Sequence, residues 1–98
     1  MVRIAVDREK VVEFCRRNQI RRLAFFGSVV RDDFRADSDV DVLVEFQPGA
    51  RVGLRFFGME RELSEILGRR ADLNTAGFLS DEILKDALRE AEDLYVAA

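Results

Sequence analysis

The chain predicts an α/β (α+β) domain, a small mixed β-sheet flanked by helices, and three observations lead there. Apolar residues recur at helical spacing around residues 8–19, 51–67 and 80–95. Between these segments stand short runs rich in valine, isoleucine, leucine and phenylalanine, at 20–26, 39–46 and 70–74. Turn chemistry marks the changeovers, at Gly27, Gln47-Pro48-Gly49, Gly68 and Ser80. Helices alternating with strands read as a layered domain of two or three layers. The 98 residues are enough for one hydrophobic core, so 1–98 is read as a single domain.

Each element has its local reason. Asp7 is placed to cap a first helix from Arg8 to Asn18 or Gln19, with Val11, Phe14 and Cys15 on its inner face. A strand follows over 20–26 and breaks at Gly27. Ser28 would cap a short helical turn ending near Asp32, and 33–38 is polar loop. Residues 39–46 form the clearest strand, closed by the Pro-Gly turn. In 51–67 the spacing of Val52, Phe56, Met59, Leu63, Ile66 and Leu67 predicts a long helix, with Gly68 ending it. Phe56, Met59 and Leu63 are core positions. Leu54 and Phe57 lie off that stripe, and partial burial against the core is expected for them, with a share in an interface as the alternative. After a strand over 70–74, Ser80 or Asp81 would cap a last helix. Its inner stripe would be Leu84, Ala87, Leu88, Ala91 and Leu94.

Composition excludes several functions. Sixteen basic and nineteen acidic residues give a net charge of -3. With a pI near 5.0, the chain carries no broad electrostatic footprint for nucleic acid. One cysteine rules out an internal disulfide, and the absence of histidine rules out the common zinc clusters. Cys15 reads as a small buried side chain. Nothing approaches a membrane-spanning run, and the first residues, Met1-Val2-Arg3-Ile4, have no signal-peptide core. A cytoplasmic protein is therefore expected. Lacking histidine, any general base near neutral pH is a carboxylate, a lysine or water.

The residues that carry chemistry lie between Gly27 and Asp41. Gly27-Ser28 closes one strand, ten residues intervene, and Asp39-Val40-Asp41 opens the next. Strand alternation puts Asp39 and Asp41 on one face, roughly 6–7 Å apart at their bases for a rise of ~3.3 Å per residue. Asp72, in the third strand, completes a set of three carboxylates if the polar faces align. Such like charges need a counter-ion, and Mg²⁺ suits carboxylate, water and phosphate oxygens. Glycine lets the backbone approach a phosphate, the Ser28 hydroxyl and neighbouring N–H groups can bind it, and Arg31 reaches the same anion. Arg35 is a weaker candidate. The Gly-Lys-Ser/Thr of a P-loop is missing.

Gly27-Ser28, ten residues, then Asp39-x-Asp41 resembles the signature of the minimal nucleotidyltransferases of the DNA polymerase β-like superfamily. Arg31 matches the arginine after the Gly-Ser, Ser38 the serine before the first aspartate, and Leu67-Gly68-Arg69-Arg70-Ala71-Asp72-Leu73 the segment of the third carboxylate. Ala91-Glu92-Asp93-Leu94-Tyr95 is similar to the family's last helix. Val30 and Asp32 depart from it, standing where a small residue and a glycine are usual.

The resemblance implies a polymerase β-like fold and transfer of AMP from ATP with Mg²⁺, two ions being expected. It also implies an antitoxin role toward a partner HEPN-type toxin, with a tyrosine as acceptor. Gly27, Ser28, Arg31 and Ser38 would bind the nucleotide. Asp39, Asp41 and Asp72 would hold metal, and Asp72 would also activate the hydroxyl. The alternatives are a binding module that neutralises its partner by contact alone and a transferase acting on small hydroxyl compounds. An oligomer is compatible with the chain, and no direct nucleic-acid contact is expected.

Overall fold

The computed structural model describes residues 4–31 and 33–98, and Phe78 by its backbone only. The expected end of the turn at Asp32 and the leader reading of residues 1–3 lie outside the described residues. Helix α1, Arg8–Arg17, starts at Asp7, whose carboxylate accepts from Lys10 N at 3.3 Å. Strand β1, Ile20–Phe26, follows, then a single 3-10 turn, Gly27–Val30. That turn opens on Gly27 itself, after extended Phe26, and no side chain caps it. Ser28 is inside the turn, a correction to its expected place as cap.

Strand β2 is Val40–Phe46, so Asp39 is the residue ahead of the strand. Helix α2, Arg55–Leu67, starts four residues later than the spacing suggested, because a turn at Gly53 and Leu54 precedes it, closed by Arg55 N donating to Val52 O at 3.2 Å. It stops at Gly68, whose φ of 68° is left-handed. Strand β3 is Ala71–Asn74. Helix α3, Asp81–Glu90, is capped by the Ser80 hydroxyl, which accepts from Ile83 N at 3.3 Å.

The largest correction lies beyond α3. Residues 91–95 are not helical: the helix ends at Glu90, and Glu92–Val96 is a fourth strand, β4. Its Leu94 is buried in the sheet, so the apparent continuation of the helical stripe was coincidence. Leu54 and Phe57 are also corrected. They are 85% and 66% exposed, not tucked against the core.

The sheet is mixed, in the order β3-β2-β1-β4. β1 is antiparallel to both β2 and β4, and β2 is parallel to β3. One face packs against α1 and α2 through Leu23 and Phe25 of β1, Val40, Val42 and Val44 of β2, and Ala71 and Leu73 of β3, with Phe14, Met59 and Leu63 from the helices. The other face carries α3 over a small cluster of Phe26, Leu43 and Ala87. Strand alternation therefore sends Asp41 and Asp72 to the α3 side, away from the main core. No helix among the described residues is long and apolar enough to cross a membrane.

Candidate functional site

Four chain segments meet at one end of the sheet: the end of β1, the starts of β2 and β3, and the junction of α3 with β4. Asp41 stands directly opposite Asp72 in the parallel register, with Val40 opposite Ala71. The apolar neighbours Val40 and Ala71 are buried, which anchors both backbones and leaves the aspartates on the α3 side. Asp41 is half-buried. Burial, then the charges of Asp72 and Asp39, push its carboxyl above the ordinary aspartate value. Asp41 thus feels the charge of both other carboxylates.

They are not yet a metal cage. Among the described residues, no three His, Cys, Asp or Glu side chains stand as a group able to hold a metal ion. Asp39, ahead of the strand and half-exposed, has its Oδ2 3.9 Å from Arg70 Nε. The donor set nevertheless suits Mg²⁺. It consists of hard carboxylate oxygens, and Mg²⁺ retains water and uses substrate phosphates, so one or two protein carboxylates suffice.

Gly27 is required at its position twice over. Its φ is +73°, left-handed, and a β-carbon there would overlap Asp41 Oδ2 and stand 3.2 Å from Asp41 Cγ. The Gly27 N–H donates to Glu90 Oε1 at 3.0 Å. Arg31 Nη1 donates to the same carboxylate at 3.3 Å and 3.4 Å, and Arg31 Nε to Asp33 at 3.2 Å. A cleft of about 260 Å³ opens here, lined by Phe26, Gly27, Arg31, Asp41, Ala87 and Glu90 among others.

Ser28 is half-buried inside the turn and accepts from Arg31 N through its carbonyl at 3.0 Å. Ser38 closes its own loop. Its hydroxyl accepts from Arg35 N at 3.0 Å, and its N–H donates to Arg35 O at 3.1 Å. Arg35 is exposed in that loop.

Two positioning groups escaped the sequence reading. β3 is an edge strand, and its outward N–H groups find partners on α2. Ala71 N donates to the Ser64 hydroxyl at 2.9 Å, and Leu73 N donates to Glu60 Oε2 at 2.9 Å. These two bonds flank Asp72 and fix its strand. Glu90 was missed as well. Local pattern marks none of the three, because each acts on a backbone group of another element.

Residues 8–94 match the nucleotidyltransferase domain family. The protein adenylyltransferase MntA of Thermococcus cleftensis is 41% identical over 71 residues, 72% of this chain and 71% of that protein. A solved minimal nucleotidyltransferase superposes with a TM-score of 0.71 at 36% identity, covering 87% of this chain and 86% of its own. A chain from the complex of tri-AMPylated Shewanella oneidensis HEPN toxin with MNT antitoxin gives a TM-score of 0.65 at 16% identity, over 92% of this chain and 70% of that one, a likeness of fold alone. With its Gly-Ser turn, paired strand-end aspartates and mixed sheet, the chain belongs to the nucleotidyltransferase domain family, as a minimal nucleotidyltransferase homologous to the protein adenylyltransferases.

Proposed function

We propose that this chain, as one domain, transfers AMP from ATP to a hydroxyl of a partner protein with Mg²⁺, and that it is the cytoplasmic antitoxin of a HEPN-type toxin modified on tyrosine. The observation that carries the reading is the pairing of Asp41 with Asp72 at the head of two parallel strands, with Gly27 packed against Asp41. The adenylyltransferase relative and the fold shared with a toxin–antitoxin complex support it.

In this reading Asp39 and Asp41 hold Mg²⁺, two ions being expected, with Asp72 as a third ligand. Bound Mg²⁺ supplies charge neutralisation at the phosphates and at the acceptor oxygen. The Gly27 N–H, the Ser28 and Ser38 hydroxyls and the Arg31 guanidinium hold the phosphates. The acceptor oxygen bonds to the α-phosphorus, the α–β anhydride bond breaks, and pyrophosphate leaves. Asp72 takes the hydroxyl proton, a part open to a carboxylate in a chain without histidine.

The test is intact mass of a co-expressed partner toxin incubated with the chain and Mg-ATP. Gain of AMP mass that disappears with Asp39→Asn/Asp41→Asn supports transfer. A chain that neither binds Mg-ATP nor modifies the partner overturns it.

A second reading, neutralisation by contact alone, is favoured by one observation. Leu54 and Phe57 present large apolar side chains to solvent at the start of α2. The double variant separates the two. If it still neutralises the partner fully, contact suffices.

A further inference from the structure

Glu90 is the last residue of α3, and Ala91 leaves the helix with ψ of 137°. A carboxylate is electrostatically disfavoured at a helix C-terminus, where main-chain carbonyls already concentrate negative charge. It is also near Asp41, and its charge is one of those raising that carboxyl. What holds it is a pair of donors from the opposite wall of the cleft, the Gly27 N–H at 3.0 Å and Arg31 Nη1 at 3.3 Å. These are the donors assigned above to the phosphates.

A main-chain N–H carries one proton and serves one strong acceptor at a time. A carboxylate and a phosphate oxygen are interchangeable acceptors for such donors. We infer that Glu90 is a built-in occupant of the phosphate subsite, which the nucleoside triphosphate must displace, so that this residue sets nucleotide affinity from within the chain. The inference rests on the assignment of Gly27 and Arg31 to phosphate binding.

Occupancy by Glu90 lowers apparent affinity by the fraction of molecules whose subsite is closed. A triphosphate, with several anionic oxygens, competes better than a single weak anion. Displacement also releases the end of α3 from the Gly27 turn. That helix packs on the sheet through a small cluster of Phe26, Leu43 and Ala87.

The experiment is calorimetric titration of Mg-ATP into the wild type, Glu90→Gln and Arg31→Met, with thermal unfolding of each as a fold control. Glutamine keeps an acceptor for Gly27 N but removes the charge that holds Arg31. The expected result is Mg-ATP binding about three- to tenfold tighter in Glu90→Gln, a range set by partial solvent screening at Arg31. Glu90→Ala should tighten binding in the same direction. Unchanged or weaker binding in both Glu90 variants, with binding lost in Arg31→Met, overturns the competitor role and leaves the phosphate subsite standing. Binding intact in Arg31→Met overturns the subsite assignment and the inference with it.

Discussion

Replacing Gly27 with alanine tests the site through its stability, without any ligand. Two costs add at this position. A left-handed φ of +73° strains any residue with a β-carbon by about 1–2 kcal/mol. The new methyl also overlaps the Asp41 carboxylate and stands 3.2 Å and 3.3 Å from Asp41 Cγ and Cβ. Forcing that half-buried side chain aside costs about 1–3 kcal/mol, as overpacking does elsewhere. The expected loss is therefore about 2–5 kcal/mol, a large share of the roughly 5–15 kcal/mol that holds a domain folded.

Urea unfolding followed by circular dichroism measures it, and Gly49→Ala is the control. Gly49 has a φ of +83° but nothing within 4 Å of its would-be β-carbon, so it reports strain alone. Gly27→Ala should cost at least 1 kcal/mol more than this control. Adding Asp41→Ala should recover most of that excess, as coupling between touching residues requires. If the two glycine variants lose equal stability, or if Asp41→Ala recovers nothing, the close approach of Gly27 to Asp41 is refuted.

Three further outcomes follow from geometry. The folded chain holds the Asp41 proton more tightly than the unfolded chain does. Asp41's own contribution to stability without metal is therefore greatest when it is protonated, and is lost as pH rises from the ordinary carboxylate range through the raised value. Asp41→Asn should flatten that slope in thermal melts and stabilise the neutral-pH protein by about 0.2–1 kcal/mol, the scale of one opposed like-charge pair. Ser64→Ala leaves Ala71 N without its partner and should cost about 1–3 kcal/mol, with faster amide exchange confined first to β3. Cys15 is buried and its thiol is pushed up to about 12, so it should react with a thiol reagent at pH 7 only as fast as the chain unfolds, and mass spectrometry against time reads this directly.

Legibility in the sequence followed the range of the interactions concerned. Asp7, Gly68 and Ser80 act within one helical turn, and all three were readable because capping is local chemistry. β1 was readable at both ends, bounded by a helix cap and a glycine. β4 was not, because Ala91 and Leu94 extend the spacing of Leu84, Ala87 and Leu88 by coincidence. What makes 92–96 a strand is pairing with β1, some seventy residues away in sequence. The turn ahead of α2 hid similarly inside an unbroken apolar period.

The site divides in the same way. Gly27, Asp41 and Asp72 were legible because a strand end, a polar alternation and a residue-type triad signal together. Their alignment needed the β2–β3 register. Ser64, Glu60 and Glu90 carry ordinary helix-surface residue types. Only the fold reveals that two of them satisfy an exposed strand edge and that the third meets a glycine N–H.

The strand directions have a practical consequence. β1 ends where β2, β3 and β4 begin, so every group assigned to chemistry gathers at that end. The turn over 47–50 lies at the opposite end, beyond Phe46 and beside Gln19, whose carbonyl accepts from Gln47 N at 2.8 Å. Gly49 is exposed at its tip with open space around it. An inserted peptide, a fluorophore or a surface tether placed there would hang from the far pole of the molecule. The end that gathers Gly27, Asp41 and Asp72 would then point away from the attachment.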